Sequence, residues 1–359
     1  MNERIPDRPV SGRGAVARPE GRFESLVHVH EDDGWFPPEE EGKPRTTLGV
    51  DRARRVLTDN DSPDVGFSRS INPYKGCEHG CAYCFSRPTH SYLGLSPGLD
   101  FETKLFYKPD APELLARELA VPNYKPVPLA LGINTDAYQP IERETRLTRR
   151  ILEVLAAHGH PLTIVTKSAL VERDLDILGP MVERGLASVA FSITTLDHEL
   201  ARRLEPRATA PARRIEAVRR VAAAGVPVSV LFAPVIPALN DMELERVLER
   251  VREAGAQHAG YVVLRLPHEL AELFPAWLEA HYPERKGKVL SILTELHGGK
   301  IYDSRFGARM RGQGEWAALI AQRFALARRR LGYSAKWAPL RTDLFRVPGR
   351  AEQMGLWPG

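Results

Sequence analysis

The feature that most restricts the fold of this chain is an alternation of short apolar segments with longer amphipathic ones. Six segments rich in β-branched residues have the length and composition of strands, at 68–74, 128–134, 162–168, 188–194, 227–235 and 259–266. Five segments with helical periodicity lie between them, at 112–120, 146–159, 175–185, 213–225 and 243–255. Strands that alternate with helices predict a parallel sheet.

Two architectures fit this alternation. The strand segments are apolar on both faces, as expected for a sheet that helices cover on one side and side chains fill on the other. A partial (β/α)6 barrel of the TIM type has this organisation, and so does a doubly wound open sheet. Periodicity does not distinguish them, so the sequence predicts an α/β core domain over residues 48–299 with either topology.

The beginning of the chain differs from this core. Residues 1–47 are rich in Pro, Gly, Arg and Glu and have no apolar periodicity, which predicts an irregular, partly disordered lead-in. On this interpretation residues 1–40 can be deleted with little loss of function. The alternative is a strap across the fold, anchored by Phe23, Trp35 and Phe36.

The end of the chain is basic. Residues 300–359 contain twelve Lys and Arg and four Asp and Glu, a formal charge of +8, so the remainder has −4 of the total of +4. The segment includes a predicted helix over 315–332, and we expect it to pack on the core as an extension. Its positive charge indicates either an interface for nucleic acid or the solvated face of a helix.

The sequence has no feature of a membrane protein. No apolar run approaches the ~18 residues that a membrane-spanning helix needs, and the amino terminus lacks the apolar core of a secretory signal. We therefore expect a cytoplasmic protein without membrane contact.

The three cysteines of the chain lie within eight residues, in the segment SINPYKGCEHGCAYCFSRPTHSY. Their spacing is Cys77-x3-Cys81-x2-Cys84, and an odd, clustered set is a poor disulfide framework. Three thiolates on one loop can ligate three corners of a cubane iron–sulfur cluster and leave the fourth iron open to a small molecule. The alternative is a zinc site with His79 or His90 as the fourth ligand.

The cysteine segment resembles that of the radical SAM superfamily, because it matches the C-x3-C-x-aromatic-C signature with Tyr83 in the aromatic position. With NTDAYQP, the TKS strand end and LEPRA, it resembles the group related to spore photoproduct lyase, often described as DNA-repair-photolyase-like. The resemblance covers about residues 67–300. It implies the partial (β/α)6 barrel of the radical SAM type.

The resemblance also implies cofactors and a reaction. A [4Fe-4S] cluster on Cys77, Cys81 and Cys84 would bind the amino and carboxylate groups of S-adenosylmethionine (SAM) at its open iron. Reductive cleavage of SAM would give methionine and a 5′-deoxyadenosyl radical that abstracts hydrogen from an unidentified substrate, in lyase-type or oxidoreductase-type chemistry. An external one-electron donor of the flavodoxin or ferredoxin type would be the partner. The rival hypothesis is a zinc-stabilised nucleic-acid-binding module that uses residues 300–359.

Polar residues collect at the predicted carboxyl ends of the strands, the edge that carries the site in parallel α/β folds. By resemblance, Thr135 and Asp136 accept hydrogen bonds from the SAM ammonium group, with a turn residue as the alternative for Asp136. Lys167, between Thr and Ser at a strand end, is a candidate for binding the SAM carboxylate. Arg207 is a second candidate unless it pairs with Glu205, which is itself a candidate contact.

Three further positions suit the ribose and adenine groups of SAM. Ser192 and Thr194 alternate along the fourth predicted strand, so their hydroxyl groups are expected to share a face and bind the ribose, with Thr195 facing away. Tyr83 would line an apolar slot for adenine. The alternative for these residues is a structural role in the core or at a strand end.

One residue of the related lyase has no counterpart in this chain. Spore photoproduct lyase is thought to use an extra cysteine as hydrogen-atom donor, three residues before an Asp that resembles Asp136, and the matching residue here is Ile133. Because all three cysteines are predicted iron ligands, we expect neither repair of thymine photoproducts by that thiol route nor a second cysteine-bound cluster. Tyr138 is an alternative hydrogen donor.

Overall fold

A seven-stranded sheet and a three-stranded sheet organise the molecule. The computed structural model describes residues 9–24, 45–335 and 338–348. The strands are β1 (Thr47–Val50), β2 (Leu57–Asp59), β3 (Arg69–Ile71), β4 (Tyr74–Lys75), β5 (Lys104–Tyr107), β6 (Leu129–Leu131), β7 (Leu162–Thr166), β8 (Ala187–Ser192), β9 (Val228–Val235) and β10 (His258–Val263). The α-helices are α1 (Asp100–Thr103), α2 (Ala111–Leu119), α3 (Glu142–Thr145), α4 (Leu147–Ala157), α5 (Leu175–Glu183), α6 (His198–Leu204), α7 (Pro211–Ala223), α8 (Leu244–Glu253), α9 (Leu270–His281), α10 (Pro283–Leu296), α11 (Ala308–Arg311) and α12 (Gly314–Arg330).

The order of the strands decides between the two predicted architectures. The larger sheet runs β10-β9-β8-β7-β6-β3-β2, and all neighbouring pairs are parallel except β2 and β3. Each parallel strand lies beside the next one along the chain, without the reversal of order that defines a doubly wound sheet. Within the described residues β2 and β10 do not pair with each other, so the barrel is open on one side. The predicted partial (β/α)6 barrel is therefore confirmed.

The helices cover the outside of this barrel because each presents an apolar stripe to the sheet. In α8 the stripe consists of Leu244, Val247, Leu248 and Val251, which follow the spacing i, i+3, i+4 and i+7 and are fully buried. Burial of each such side chain contributes ~1.5–3 kcal/mol, so this one face stabilises the helix far more than its intrinsic propensity does.

The predicted core elements agree with the structure to within a few residues, with one exception. The first predicted strand, 68–74, is divided between the two sheets. Its first part is β3 in the larger sheet, whereas β4 pairs with β5 in the three-stranded sheet β1-β5-β4. The break at Asn72 and Pro73 redirects the chain toward the cysteines.

Two long helices, α9 and α10, lie within the predicted core domain but were not predicted from the sequence. The buried residues of α9 include Leu270, Leu273, Phe274 and Trp277, which is a helical spacing. Pro275 lies inside this helix and obscured the pattern, because proline normally interrupts helices. The three-stranded sheet was also missed, since strands of two to four residues are too short for a periodic signal.

Part of the predicted lead-in packs against the core. Residues 9–24 contain no helix or strand, as predicted, but Ala15 and Val16 are buried. The backbone N–H groups of Gly14 and Ala15 donate to the buried carboxylate of Glu102 at 3.0 and 2.8 Å. Deletion through residue 40 would remove these contacts, which supports the alternative of a strap across the fold, while tolerance to the deletion stays a prediction.

Of the three proposed anchors of the strap, the structure describes only Phe23. Phe23 stacks on Tyr92 with 5.1 Å between ring centroids, but both rings are largely exposed. Trp35 and Phe36 lie outside the described residues. Residues 13–16 are called here the N-terminal strap. Their buried backbone contacts attach the lead-in to the core more strongly than the exposed ring of Phe23 does.

The basic extension packs on the barrel at two places. Helix α12, predicted at 315–332, contacts α8 and α10. Farther on, the N–H groups of Arg341 and Arg346 donate to the carbonyl oxygens of Gly185 and His158, both at 2.9 Å, at the amino ends of the strands. Within the described ranges, no helix combines the length and the apolar character needed to cross a bilayer.

Candidate active site at the carboxyl edge of the barrel

The interior of the open barrel holds a cavity of 660 Å³, which is within the usual size range of a ligand site. Small residues on the inner side leave this space open, among them Ala130, Gly132, Ser192, Ser229 and Ala233. The three cysteines line the same cavity. The sequence predicts the site at this edge, where the parallel strands end.

The cysteine loop comprises residues 76–84. It begins with Gly76 at φ +76°, where an added Cβ would lie 2.9 Å from the carbonyl oxygen of Phe101. Glycine therefore allows both the left-handed turn and the close approach of the two backbones. The loop carries two buried thiols, Cys77 and Cys81, and a half-buried one, Cys84, all of them free.

A buried glutamine that the sequence analysis missed holds this loop. The side-chain amide of Gln139 accepts a hydrogen bond from the N–H of Glu78 at 2.8 Å and donates to the carbonyl oxygen of Gly76 at 3.2 Å. These two peptide groups flank Cys77. Gln139 belongs to the segment NTDAYQP, in which only Thr135 and Asp136 were considered for a role at the site.

The surroundings of the thiols suit a bound metal centre more than free thiolates. Burial raises the pKa of Cys77 well above its ordinary value and raises the pKa of Cys81 to about 12, although the positive charge of Lys167 acts in the opposite direction on Cys81. Buried thiols without metal are thus protonated at neutral pH, whereas coordination to a metal deprotonates them. Three soft donors on one buried loop fit an iron–sulfur cluster.

The two histidines considered as zinc ligands have other partners. The Nδ1 atom of His79 lies 3.4 Å from a carboxylate oxygen of Asp136, and the Nε2 atom of His90 lies 2.9 Å from the carbonyl oxygen of Lys104. A single zinc ion with thiolate ligands at about 2.3 Å would hold its sulfurs about 3.8 Å apart. No three His, Cys, Asp or Glu side chains of residues 9–24, 45–335 and 338–348 are arranged for one metal ion.

Asp136 is fully engaged by the protein. Its carboxylate accepts hydrogen bonds from the hydroxyl group of Thr166 at 2.8 Å, from the N–H of Lys167 at 2.7 Å and from the N–H of Tyr138 at 2.9 Å. Burial opposes its ionised form, but His79 and these donors outweigh burial and lower the pKa of Asp136. These contacts agree with the alternative prediction that Asp136 is a turn residue. Through the hydrogen bond from the N–H of Lys167, Asp136 also fixes the backbone at Lys167.

Thr135 does not reach the cavity. Its buried hydroxyl group donates to the carbonyl oxygen of Tyr74 at 2.9 Å, so it ties the end of β6 to β4. This hydrogen bond agrees with the alternative of a structural role, and the contact between Thr135 and SAM stays a prediction.

Lys167 does line the cavity, beside Tyr83. Its Nζ atom lies 5.8 Å from the centroid of the Tyr83 ring. Burial opposes the charge on Lys167, but Cys81, in its thiolate form, and the carboxylate of Glu205 outweigh burial and raise the pKa of Lys167. A cation is thus held next to the cysteine loop, as the sequence predicts for this strand end.

Ser192 and Thr194 do not share a face as predicted. Ser192 is the last residue of β8 and lines the cavity. Thr194 lies beyond the end of the strand, where the alternation no longer applies, and its hydroxyl group is buried against Glu205 and the carbonyl oxygen of Ala233 at 2.6 and 3.1 Å. The hydroxyl group of Thr195 donates to Glu243.

Glu205 pairs with Arg214 rather than with Arg207. The Glu205–Arg214 pair is buried, and the same carboxylate accepts hydrogen bonds from the hydroxyl groups of Tyr83 and Thr194. Burial opposes ionisation of Glu205, but Arg214 and Lys167 outweigh it and lower the pKa of Glu205 to about 2. This network fixes the position of Tyr83, the aromatic residue of the cysteine signature.

Arg207 lies outside the cavity. Its guanidinium group is 3.0 Å from the carboxylate of Glu78 and is 38% exposed. The side chains of Arg207 and Glu205 are each paired within the protein and neither lines the cavity, so direct contact of Arg207 or Glu205 with SAM stays a prediction that these positions do not favour. Arg214, the actual partner of Glu205, was not considered from the sequence.

The two residues considered for hydrogen donation lie in different places. Ile133, which the resemblance matches with the extra cysteine of the related lyase, lines the cavity. Tyr138 is fully buried, and its hydroxyl group donates to Asp174 at 3.0 Å. Tyr138 therefore faces away from the cavity, and its predicted role as hydrogen donor is corrected.

Comparison with known proteins identifies the family. The model of the radical SAM superfamily matches residues 71–251, which include the cysteine loop and the strands from β3 to β9. The chain belongs to the radical SAM superfamily. Membership implies that this radical SAM protein is an enzyme with SAM and an iron–sulfur cluster as cofactors, and such enzymes in general need an external electron donor.

Relatives of this radical SAM enzyme occur in bacteria and archaea. It is 34% identical over 289 residues to an uncharacterized protein of Mycobacterium tuberculosis, a match that covers 79% of this chain and 81% of the relative. It is 27% identical over 233 residues to an uncharacterized protein of Methanocaldococcus jannaschii, covering 65% of this chain and 83% of that protein.

Solved structures of spore photoproduct lyase share the fold of this radical SAM enzyme. The lyase complexed with a dinucleoside spore photoproduct superposes with a TM-score of 0.55 at 17% identity, over 79% of each chain. A cysteine-to-serine variant of the lyase gives the same TM-score at 18% identity, also over 79% of each chain. At this identity the similarity establishes the fold and not the substrate.

Proposed function

We propose that this enzyme holds a [4Fe-4S] cluster on Cys77, Cys81 and Cys84 and cleaves SAM reductively in the barrel cavity. The observation that carries the proposal is that these three thiols line one cavity at the carboxyl ends of the strands. When bound, the cluster supplies the electron that splits the sulfonium C–S bond of SAM into methionine and a 5′-deoxyadenosyl radical. The external electron donor is of the flavodoxin or ferredoxin type.

Two residues of the cavity bind SAM in this proposal. Lys167 carries a stable positive charge beside the cysteine loop and binds the SAM carboxylate. Ser192 presents a short hydroxyl group at the same edge and binds the ribose. Asp136 acts on SAM indirectly, because it holds the N–H of Lys167 at 2.7 Å. The ring of Tyr83 lies below the Lys167 cation and borders the adenine site.

The cavity wall protects a reactive radical. Val165, Leu231 and Val263 contribute apolar surface to the interior, and these side chains do not compete for hydrogen bonds with bound ligands. An apolar wall disfavours water and so limits side reactions of the radical.

The test is anaerobic reconstitution followed by chemical analysis. We expect about four iron and four sulfide per chain, the cluster type of three-cysteine sites, and reduction-dependent formation of 5′-deoxyadenosine from SAM. Replacing any one of Cys77, Cys81 or Cys84 by Ala should abolish both. A colourless protein with one zinc per chain would instead support the zinc-stabilised module.

The substrate is not a thymine photoproduct repaired by a protein thiol. All three cysteines of the chain are proposed iron ligands, and Ile133, which lines the cavity, matches the extra cysteine of the lyase by resemblance. Reduced enzyme supplied with SAM and spore-photoproduct DNA should release 5′-deoxyadenosine without restoring thymine pairs. Many turnovers of repair without an added thiol would contradict this expectation.

A nucleic-acid partner is a second candidate, which the charge of residues 300–359 supports. Arg309 and Arg311 lie near the cavities, whereas α12 lies on the outside of the barrel. We therefore expect contact through α11. Arg311→Gln should weaken binding of a single-stranded oligonucleotide and reduce its salt dependence by about one charge, while Arg329→Gln on α12 should not. Equal effects of both substitutions would indicate non-specific attraction.

A further inference from the structure

A second cavity of 360 Å³ adjoins the barrel cavity on its outer side. The two cavities share lining residues, including Phe85, Ile133, Arg265 and Met310. Phe85 directly follows Cys84, so this junction lies beside the cysteine loop. A substrate that enters through the outer cavity passes these residues before it reaches the barrel interior.

Three arginines line the outer cavity, and they differ in their partners. Arg22 lies 2.9 Å from the carboxylate of Glu269, and Arg309 lies 2.5 Å from the carboxylate of Asp64. The third, Arg265, has no hydrogen bond or ion pair with any residue in the described part of the chain. Its guanidinium group stacks on Phe85 at 4.6 Å from the ring centroid.

An unpaired guanidinium group in this place is costly. Arg265 is half-buried, and burial lowers its pKa because the charged form loses hydration. Its five N–H donors are not used by the surrounding protein. Stacking on Phe85 holds the guanidinium plane in place but satisfies none of these donors, so the group is arranged to receive a ligand.

Arg311 makes a similar contact with an aromatic ring in the barrel cavity, although its side chain is exposed. It lies over the ring of Tyr261 at 4.0 Å from the centroid and lines the cavity. Like Arg265, it has no hydrogen bond or ion pair with the residues that the structure describes. The two unpaired cations follow β10 and precede α12, on the open side of the barrel.

We infer that Arg265, assisted by Arg311, binds an anionic phosphate or carboxylate group of the substrate at the junction of the two cavities. A planar guanidinium group can bind two oxygens of either group at once. This inference rests on the proposed function, because it assigns the substrate side of the same site. The anionic group stays at the junction, and the rest of the substrate extends into the apolar barrel interior.

The SAM carboxylate is not the anion that Arg265 binds. Lys167 follows β7, whereas Arg265 follows β10, and two strands lie between them in the sheet. Three strand spacings of about 4.8 Å separate these positions by roughly 14 Å. We therefore assign the Lys167 site and the Arg265 site to different groups, and the SAM affinity of Arg265→Gln tests this assignment.

The experiment titrates the full-length protein with pyrophosphate and, separately, with citrate at constant ionic strength, and follows thermal unfolding. Binding to the folded state raises the unfolding temperature according to the apparent Kd. Arg265→Gln should weaken the apparent Kd of at least one anion roughly ten- to hundredfold, the usual cost of a lost charged hydrogen bond. Arg250→Gln, which removes the same charge from an exposed site, is the matched control.

The pattern of the two titrations identifies the group. If Arg265→Gln weakens the binding of pyrophosphate alone, the site binds a phosphate group. If the substitution weakens the binding of citrate alone, the site binds a carboxylate group. Arg265→Lys, which keeps the charge but not the planar fork, should lie between wild type and Arg265→Gln. Equal Kd values in Arg265→Gln and Arg250→Gln would overturn the inference.

A separate measurement distinguishes this inference from the proposed function. SAM affinity of the reconstituted protein should be unchanged in Arg265→Gln, and an equal loss of SAM affinity would assign Arg265 to SAM and overturn the inference. A wild-type protein that binds pyrophosphate through Arg265 but holds no cluster would contradict the proposed function alone.

Discussion

Asp64 and Arg309 form an ion pair across the open side of the barrel, with 2.5 Å between Oδ2 and Nε. Asp64 lies between β2 and β3, and Arg309 lies in α11, which follows β10. Because β2 and β10 are the edges of the larger sheet, the pair joins segments that the sheet leaves apart. The N–H of Gly307 also donates to Asp64 at 2.6 Å. The pair thus closes one side of the barrel cavity, which Asp64 lines.

This connection should depend on pH. The hydrogen bond from Gly307 and the charge of Arg309 lower the pKa of Asp64 below its ordinary value of 3.8. A carboxylate with a lowered pKa stabilises the folded state fully above the ordinary pKa and loses that effect as the pH falls through the lowered value. Amide hydrogen exchange of α11 should be faster in Asp64→Asn than in wild type at pH 7, and the difference should shrink as the pH approaches 3.

Asp343→Asn is the matched control for this prediction. Asp343 pairs with Arg341 at 2.6 Å, but both side chains are more than half exposed and lie far from α11 in the chain. Its substitution should leave exchange of α11 unchanged, because exposed pairs contribute little. A constant difference between Asp64→Asn and wild type at every pH would show that the charge is not responsible.

Lys167→Ala should weaken SAM binding without loss of the cluster. The lost charged contact is worth ~1.5–3 kcal/mol, which corresponds to a roughly ten- to hundredfold higher Kd. Equilibrium dialysis with labelled SAM measures the affinity, and iron content reports on the cluster. Lys286→Ala, which removes a lysine paired with Glu279 on the surface, is the control. Unchanged SAM affinity in Lys167→Ala would remove Lys167 from the site.

Asp136→Ala should behave differently from Lys167→Ala. It removes the acceptor of three hydrogen bonds and leaves buried donors unsatisfied, which costs about 1–3 kcal/mol for each donor that water does not reach. We therefore expect a lower free energy of unfolding as well as weaker SAM binding. Unfolding in urea and SAM titration separate the two effects, and full stability with loss of SAM affinity would favour direct contact with the SAM ammonium group.

Glu205→Gln should destabilise the protein strongly. It leaves the buried guanidinium group of Arg214 without its counter-ion, and breaking a buried pair in this way costs ~3–5 kcal/mol. Chemical denaturation measures the loss. Glu199→Gln provides the contrast, because its pair with Arg203 is partly exposed and should contribute below about 1 kcal/mol. Similar effects of the two substitutions would argue against the buried network.

Gly14→Ala tests the N-terminal strap. An added Cβ at Gly14 would lie 1.7 Å from the carbonyl oxygen of Gly80, so the strap must move away from the cysteine loop. Overpacking of this kind costs ~1–3 kcal/mol, and we expect faster loss of iron to a chelator. Gly287→Ala, in α10 and with no heavy atom other than the helix's own backbone within 4 Å of the new Cβ, is the control. Equal rates of iron loss would show that the strap does not support the loop.

The local parts of this structure follow from the sequence. The strands and helices of the barrel could be predicted because their signal, the periodicity of apolar residues, depends on neighbouring residues. The spacing of Cys77, Cys81 and Cys84 likewise lies within one loop, and it indicated the family before any fold was known. The predicted position of Lys167 needed only the rule that sites lie at the carboxyl ends of parallel strands.

The partners of the charged residues could not be predicted. Glu205 is close in sequence to Arg207, yet it pairs with Arg214, because α7 brings Arg214 under the end of β8. Arg207 turns instead to Glu78 in the cysteine loop. Sequence proximity suggested the first pairing, whereas helix packing determines which guanidinium group is buried.

The direction of side chains beyond a strand end also depended on tertiary structure. Alternation placed Ser192 and Thr194 on one face, but β8 ends at Ser192, and Thr194 turns toward Glu205. The contact of Gly14 with the cysteine loop joins residues that are still farther apart in the sequence, about 66 positions. The sequence by itself determined the barrel elements and the cysteine signature, since both are encoded locally. Only the tertiary structure decided which polar groups face the cavity. The remaining buried polar groups form hydrogen bonds inside the protein, because a buried polar group without a partner is unfavourable.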